Sequence, residues 1–207
     1  MKEIEILVEV YEEKDKVLEV LNKFEYVNEK EVIDIYYYDP MRDDLKPAKD
    51  NRIDQCFRLR KNKNSASIAY KVDHFDEKGR WKYSDEYETS IENTKQMEEI
   101  INKLGMKKLI EVVNTKKIYK YKEYEIAFET VENLGLFLEV EYCTSEDINI
   151  DKKKAEIQAF INDLNLKLSA ELNMGKPEMM LNKIKTSIKG VVSPVSFYKK
   201  IDFFPDL

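Results

Sequence analysis

Glu139 and Glu141 close the run Val131-Glu132-Asn133-Leu134-Gly135-Leu136-Phe137-Leu138-Glu139-Val140-Glu141, and on an extended strand both carboxylates project from one face. The amino terminus repeats that spacing. From Lys2 to Val10 the chain alternates strictly, so Glu3, Glu5, Leu7 and Glu9 share one face while Ile4, Ile6, Val8 and Val10 share the other. Arg58 and Arg60, within Cys56-Phe57-Arg58-Leu59-Arg60-Lys61, carry the same pattern with the opposite sign. Acidic rows and a basic row on different strands point to a polyanion held together with a metal ion. Guanidinium groups bind anionic oxygens directly, whereas carboxylates reach an anion only through a hard cation.

The rest of the chain supplies strands and a few helices to position these rows. Lys14 to Phe24 places Val17, Leu18, Leu21 and Phe24 at helical spacing. Glu31 to Asp39 reads as a strand, and the polar segment 41–51, which carries Pro47, as a loop. Further strands are expected near 54–61, 66–74, 82–91, 109–120, 123–131 and 136–143. Helices are expected over 93–104 and 152–168, and from Pro177 through Ile184. Strands that are charged on one face and apolar on the other cannot make an ordinary sandwich, whose inward face is apolar. A closed barrel resolves the conflict, with a polar interior and helices covering an apolar exterior. The fold class expected is therefore α+β, an antiparallel eight-stranded barrel with helices packed outside.

Composition narrows the function classes. The chain has 207 residues, enough for one domain with a sizeable core, and its 37% charged and 43% hydrophobic content is globular. A net charge of −6 disfavours a general nucleic-acid surface. Cys56 and Cys143 are too few and too isolated for a disulfide framework or a thiolate zinc site. With neither a signal peptide nor a membrane-length apolar run, a soluble cytoplasmic protein with no membrane partner is expected. His74 reads as a structural or surface residue, because no serine or cysteine partner is evident.

Taken in order, several motifs resemble those of the CYTH domain, the triphosphate tunnel metalloenzyme family. Glu3-Ile4-Glu5-Ile6-Leu7 is similar to its Glu-x-Glu-x-Lys, Ile35-Tyr36-Tyr37-Tyr38-Asp39 to its Tyr-Phe-Asp strand, and Arg58-Leu59-Arg60 to its Arg-Ile-Arg strand. Tyr70-Lys71 resembles its lysine strand, Glu86-Tyr87-Glu88 its central acidic pair, and 131–141 its LGxF core with a terminal Glu-x-Glu. Leu7 departs from the pattern by replacing a lysine, Glu129 stands where aspartate is usual, and Asn114 and Lys116 stand where lysine and arginine are common. A single Glu-x-Glu is most often a solvated face; two of them with an Arg-x-Arg, in a barrel, are not.

The resemblance implies a metal-dependent enzyme acting on a triphosphate compound. Arg58, Arg60, Lys71 and Lys116 would bind substrate. Glu3, Glu5, Glu86, Glu88, Glu129, Glu139 and Glu141 would hold Mg²⁺ or Mn²⁺, and Glu5, Lys71 and Glu139 would be the catalytic groups. The leading expectation is a class IV adenylyl cyclase-like conversion of ATP to cyclic AMP and pyrophosphate. The alternatives are hydrolysis of thiamine triphosphate or inorganic triphosphate, and a noncatalytic nucleotide or polyphosphate binding module. A lysine at position 7 is expected to add a phosphate contact. Residues 1–187 are expected to form the CYTH-like domain. The apolar tail 188–207 would pack on that domain or on a partner subunit of a homodimer.

Overall fold

The computed structural model describes residues 1–190. The strands are β1 (Lys2–Glu9), β2 (Glu25–Tyr38), β3 (Gln55–Asn62), β4 (Ala66–Phe75), β5 (Trp81–Ile91), β6 (Lys107–Tyr121), β7 (Tyr124–Val131) and β8 (Gly135–Thr144). They close into one antiparallel barrel in the order β1-β5-β4-β3-β2-β6-β7-β8, with β8 returning to β1. The helices are α1 (Lys14–Leu21), α2 (Thr94–Lys103), α3 (Ile150–Asp163) and α4 (Lys176–Gly190). The expected class is thus the one observed.

Alternation along β1 decides which residues face outward. Ile4, Ile6 and Val8 are fully buried against Val17 and Leu21 of α1 and Ile157 and Ile161 of α3, in the largest apolar cluster. Burying such side chains stabilises the fold by about 1.5 to 3 kcal/mol each. Ile101 of α2 covers Ile35, Tyr37 and Leu59 on another side of the barrel. Helices α2 and α3 each start on a side-chain cap: Asn93 accepts from the Gln96 amide in α2, and Asn149 from the Lys152 amide in α3.

Inward rows continue along the same strands but change character. At one end of the barrel Leu7, Tyr36, Ile110, Val112, Val131 and Phe137 form an apolar cluster, closed by Met179, Met180 and Leu181 of α4. Toward the other end the inward positions are charged and surround a cavity of about 680 Å³. The turn feeding β8 depends on left-handed backbone at Asn133 (φ 63°), followed by Gly135 (φ 129°). Glycine is the residue that takes the second of these values without strain.

Boundaries differ from expectation in several places, and α1 ends at Leu21 rather than Phe24. β2 begins at Glu25 rather than 31, because residues 25–30 lack an alternating apolar face and are held by pairing with the long β6 and by the Glu29–Lys117 ion pair (2.7 Å). α3 stops at Asp163, before a left-handed Asn165 (φ 53°). α4 runs past Ile184 to Gly190, so residues 188–190 finish a helix; the rest of the tail lies outside the described residues. No described helix is long and apolar enough to cross a membrane.

Candidate functional site

Glu3 and Glu5 from β1 and Glu141 from β8 converge because β1 and β8 pair with Glu5 opposite Glu141. One carboxylate oxygen from each lies within 4.8 Å of the others. Glu3 and Glu5 are buried. Burial, with Glu3, Glu139 and Glu125 nearby, pushes the Glu141 carboxyl up to about 8. Glu5 is also raised, by burial and by Glu3 and Glu139. Burial acts on Glu3 in the same sense, but Lys71 and hydrogen bonds from its neighbours outweigh it and hold Glu3 below the carboxylate range. Glu86 is pushed up to about 7 by burial and by Glu3. Acids crowded in this way favour either a proton or a cation between them.

Each basic residue expected from the sequence also faces the cavity. Arg58 donates to Glu86 (2.8 Å) and Glu88 (3.1 Å), and Arg60 forms a two-bond fork with Asp34 (2.7 and 2.8 Å). Burial would raise Asp34, but Arg60 more than offsets it, leaving the carboxyl at about 2. Lys71 Nζ sits 3.2 Å from Glu3 and 3.5 Å from Glu5, with the Trp81 ring centroid 5.1 Å away. Trp81 is fixed in turn, since its Nε1 donates to Ser84 Oγ (3.1 Å) and Ser84 donates to Asp73 (2.6 Å). Lys116 lies 2.8 Å from Glu129 and 3.5 Å from Glu139.

The acidic residues therefore divide. Glu3, Glu5 and Glu141 form the trio, with Lys71 on Glu3 and Glu5 and with Glu86 beside Glu3, and Arg58 engages both Glu86 and Glu88. Glu129 and Glu139 are instead engaged by Lys116 and by Lys176, whose Nζ is 2.9 Å from Glu129 and 2.5 Å from Glu139. Burial would raise Glu139, but these two ammonium groups hold it well below its ordinary value. Asn114 donates to Glu129 (2.5 Å).

Lys176 and Asp34 are site residues that the sequence reading does not include. Lys176 reaches the barrel because α4 folds back onto it, anchored by Glu178, which accepts from the amides of Gly175 and Ile53. Gly175-Lys176-Pro177 marks a helix start but not its destination. Asp34 has a visible signal, an acid inside Val32-Ile33-Asp34-Ile35, because a buried strand carboxylate needs a partner. Leu7 shares the inward face of Glu3 and Glu5, as read from the alternation, yet it is 2% exposed and belongs to the apolar cluster under α4. Leu7 also lines the cavity, so a lysine there would reach it only by giving up this apolar packing.

Among the described residues, three buried side-chain polar atoms have no hydrogen-bond partner: Glu3 Oε2, Arg58 Nε and Asn114 Oδ1. All three belong to this site. Glu3 Oε2 still has the Lys71 ammonium 3.2 Å away, whereas Arg58 Nε and Asn114 Oδ1 leave bonding capacity for water or a ligand. The trio's hard oxygen donors suit a hard divalent cation.

A closed antiparallel barrel whose interior opposes a carboxylate trio to arginines and lysines defines a triphosphate tunnel fold. The chain belongs to the CYTH domain family, whose family model matches residues 1–171. A putative adenylate cyclase of Methanocaldococcus jannaschii is 32% identical over 168 residues, covering 80% of this chain and 91% of the relative. The PH1819 protein from Pyrococcus horikoshii superposes with a TM-score of 0.74 at 26% identity, over 87% of this chain and 99% of that one. A Hippeastrum protein, reported as a putative adenylyl cyclase with a dominant triphosphatase activity, shares the fold at a TM-score of 0.58 and 13% identity, over 94% and 98% of the two chains.

Proposed function

We propose that the protein is a divalent-metal-dependent enzyme that converts a triphosphate compound inside its barrel. One observation carries this reading: Glu3, Glu5 and Glu141 gather on one wall while Arg58, Arg60, Lys71 and Lys116 face the same cavity. The trio would hold Mg²⁺ or Mn²⁺, which supplies charge neutralisation and Lewis acidity toward phosphoryl oxygens. Arg58 and Lys71 border the trio and would orient the phosphates by charge-assisted hydrogen bonds. Lys116 and Lys176 are held against Glu129 and Glu139, which fixes their ammonium groups in the tunnel wall before substrate arrives. The apolar plug around Leu7 excludes water from the closed end.

Two reactions fit this arrangement. Cyclisation of ATP by its own 3′ hydroxyl, with release of pyrophosphate, is supported by the Methanocaldococcus relative, and Tyr87 and Ile118 in the lining offer surface for a base. Hydrolysis of a triphosphate is supported by the predominance of charge in the lining, which reads phosphate rather than base. Incubation with Mn²⁺ and, separately, ATP, thiamine triphosphate and tripolyphosphate distinguishes them. Cyclic AMP with pyrophosphate identifies the cyclase, and orthophosphate from any of the three without cyclic AMP identifies the hydrolase. Absence of Mn²⁺-dependent turnover of any of the three would sink the proposal.

A further inference from the structure

Lys30 lies on the part of β2 that the alternation pattern does not reveal, and its side chain lines the cavity. The other lysine and arginine side chains of that lining are each ion-paired with a carboxylate: Arg58, Arg60, Lys71, Lys116 and Lys176. Among the described residues Lys30 has no such pair. It stands directly opposite Lys116 in the β2–β6 register, where two like charges repel. Burial, then Lys116 and Arg60, lowers its ammonium below the ordinary lysine value, against a weaker pull from Glu125 and Glu141. An unpaired, half-buried cation beside two others destabilises the empty barrel, and a bound anion removes that cost.

Its place along the strand says which part of a ligand it meets. Lys30 is four residues from Asp34, the partner of Arg60, and so about 13 Å along β2. The exposed Glu88, Thr89 and Cys143 mark the open mouth, and the Leu7 cluster marks the closed end. Asp34 and Tyr36 lead along β2 toward that closed end, so Lys30 lies on the mouth side.

We propose that Lys30 is an outer phosphate-binding residue that selects for length, engaging the outermost phosphate of a linear tri- or longer oligophosphate and leaving a diphosphate untouched. This rests on the tunnel reading above. Arg60 and Lys116 must loosen carboxylate partners to take a phosphate, whereas Lys30 is free to do so at once.

The test is calorimetric titration of the full chain in Mn²⁺ buffer with two non-hydrolysable probes, diimidotriphosphate and imidodiphosphate. Lys30→Met should weaken diimidotriphosphate by about tenfold or more, the loss of one charge-assisted contact, and make its binding less salt-sensitive. Imidodiphosphate affinity should change by less than about twofold. Lys30→Arg should keep most of the triphosphate affinity, and the melting temperature of Lys30→Met should not fall, because a like-charge pair is removed. Unchanged triphosphate binding, or equal loss for both probes, overturns the proposal. Arg58→Met in parallel separates the two levels: if it loses affinity and Lys30→Met does not, the outer subsite alone fails. If neither variant loses affinity, the tunnel reading fails with it.

Discussion

Replacing Lys176 with methionine removes one of two ammonium groups from a buried quartet. Lys176 and Lys116 face Glu129 and Glu139 at 2.5 to 3.5 Å, and Glu129 is completely buried. Four opposing charges are balanced, so the variant carries one uncompensated negative charge in the interior. Taking one partner from a buried ion pair costs about 3 to 5 kcal/mol. That is a large share of a typical total stability of about 5 to 15 kcal/mol. At about 2 to 4 °C per kcal/mol for a chain of this size, the melting temperature should fall by about 10 °C. Lys176 also starts a helix, where the dipole disfavours a cation, so only the carboxylates account for its placement. Methionine keeps most of the stem, which confines the change to charge. Urea unfolding gives the loss, and the double variant Lys176→Met/Glu139→Gln gives the control, because it leaves Lys116 with Glu129 and restores neutrality. More than half the loss should return. A loss below about 1 kcal/mol, or a double variant no more stable than the single, would refute the reasoning.

Leu7→Lys should destabilise by about 2 to 5 kcal/mol, since it replaces a 2% exposed leucine in the plug with a group that needs water; a variant as stable as wild type with tighter triphosphate binding would show that the ammonium reaches the tunnel. Glu141→Ala should abolish Mn²⁺-dependent turnover without lowering the melting temperature, because it relieves the crowding that holds this carboxyl near 8, whereas Glu139→Ala should melt lower by breaking the Lys116 and Lys176 contacts. The opposite ranking of melting temperatures would contradict the division of the acids into two groups. Burial raises Glu178 from 4.5 to about 7, so the folded state binds this proton more tightly than the unfolded one. Its contribution is full below about 4.5 and is lost as pH rises through about 7, each pH unit of that interval being worth roughly 1.4 kcal/mol. Glu178→Gln should therefore gain stability relative to wild type at pH 8 and not at pH 5, measured by denaturation at both; equal differences at the two pH values would count against the assignment.

How much of this is legible in the sequence depends on periodicity. Glu3, Glu5, Arg58, Arg60, Glu139 and Glu141 sit on strictly alternating strands, so their shared faces follow from the two-residue period, and the demand for a polar interior yields the barrel. Residues 25–30 of β2 carry no such period, and Lys30 is hidden with them. Lys176 is hidden for a different reason: its partners Glu129 and Glu139 are far away in the chain, and only the return of α4 brings them together. The inward row of β1 follows from its alternation, but alternation does not reveal where along the tunnel charge gives way to hydrocarbon. That boundary falls between Glu5 and Leu7.

Whether one cavity binds a metal ion and a triphosphate together is decided by a crystal structure with Mn²⁺ and diimidotriphosphate. An anomalous manganese peak bounded by Glu3, Glu5 and Glu141 is expected, with phosphate oxygens on Arg58, Lys71 and Lys116. Manganese and ligand bound outside the barrel, with the trio still closed on Lys71, would contradict that expectation.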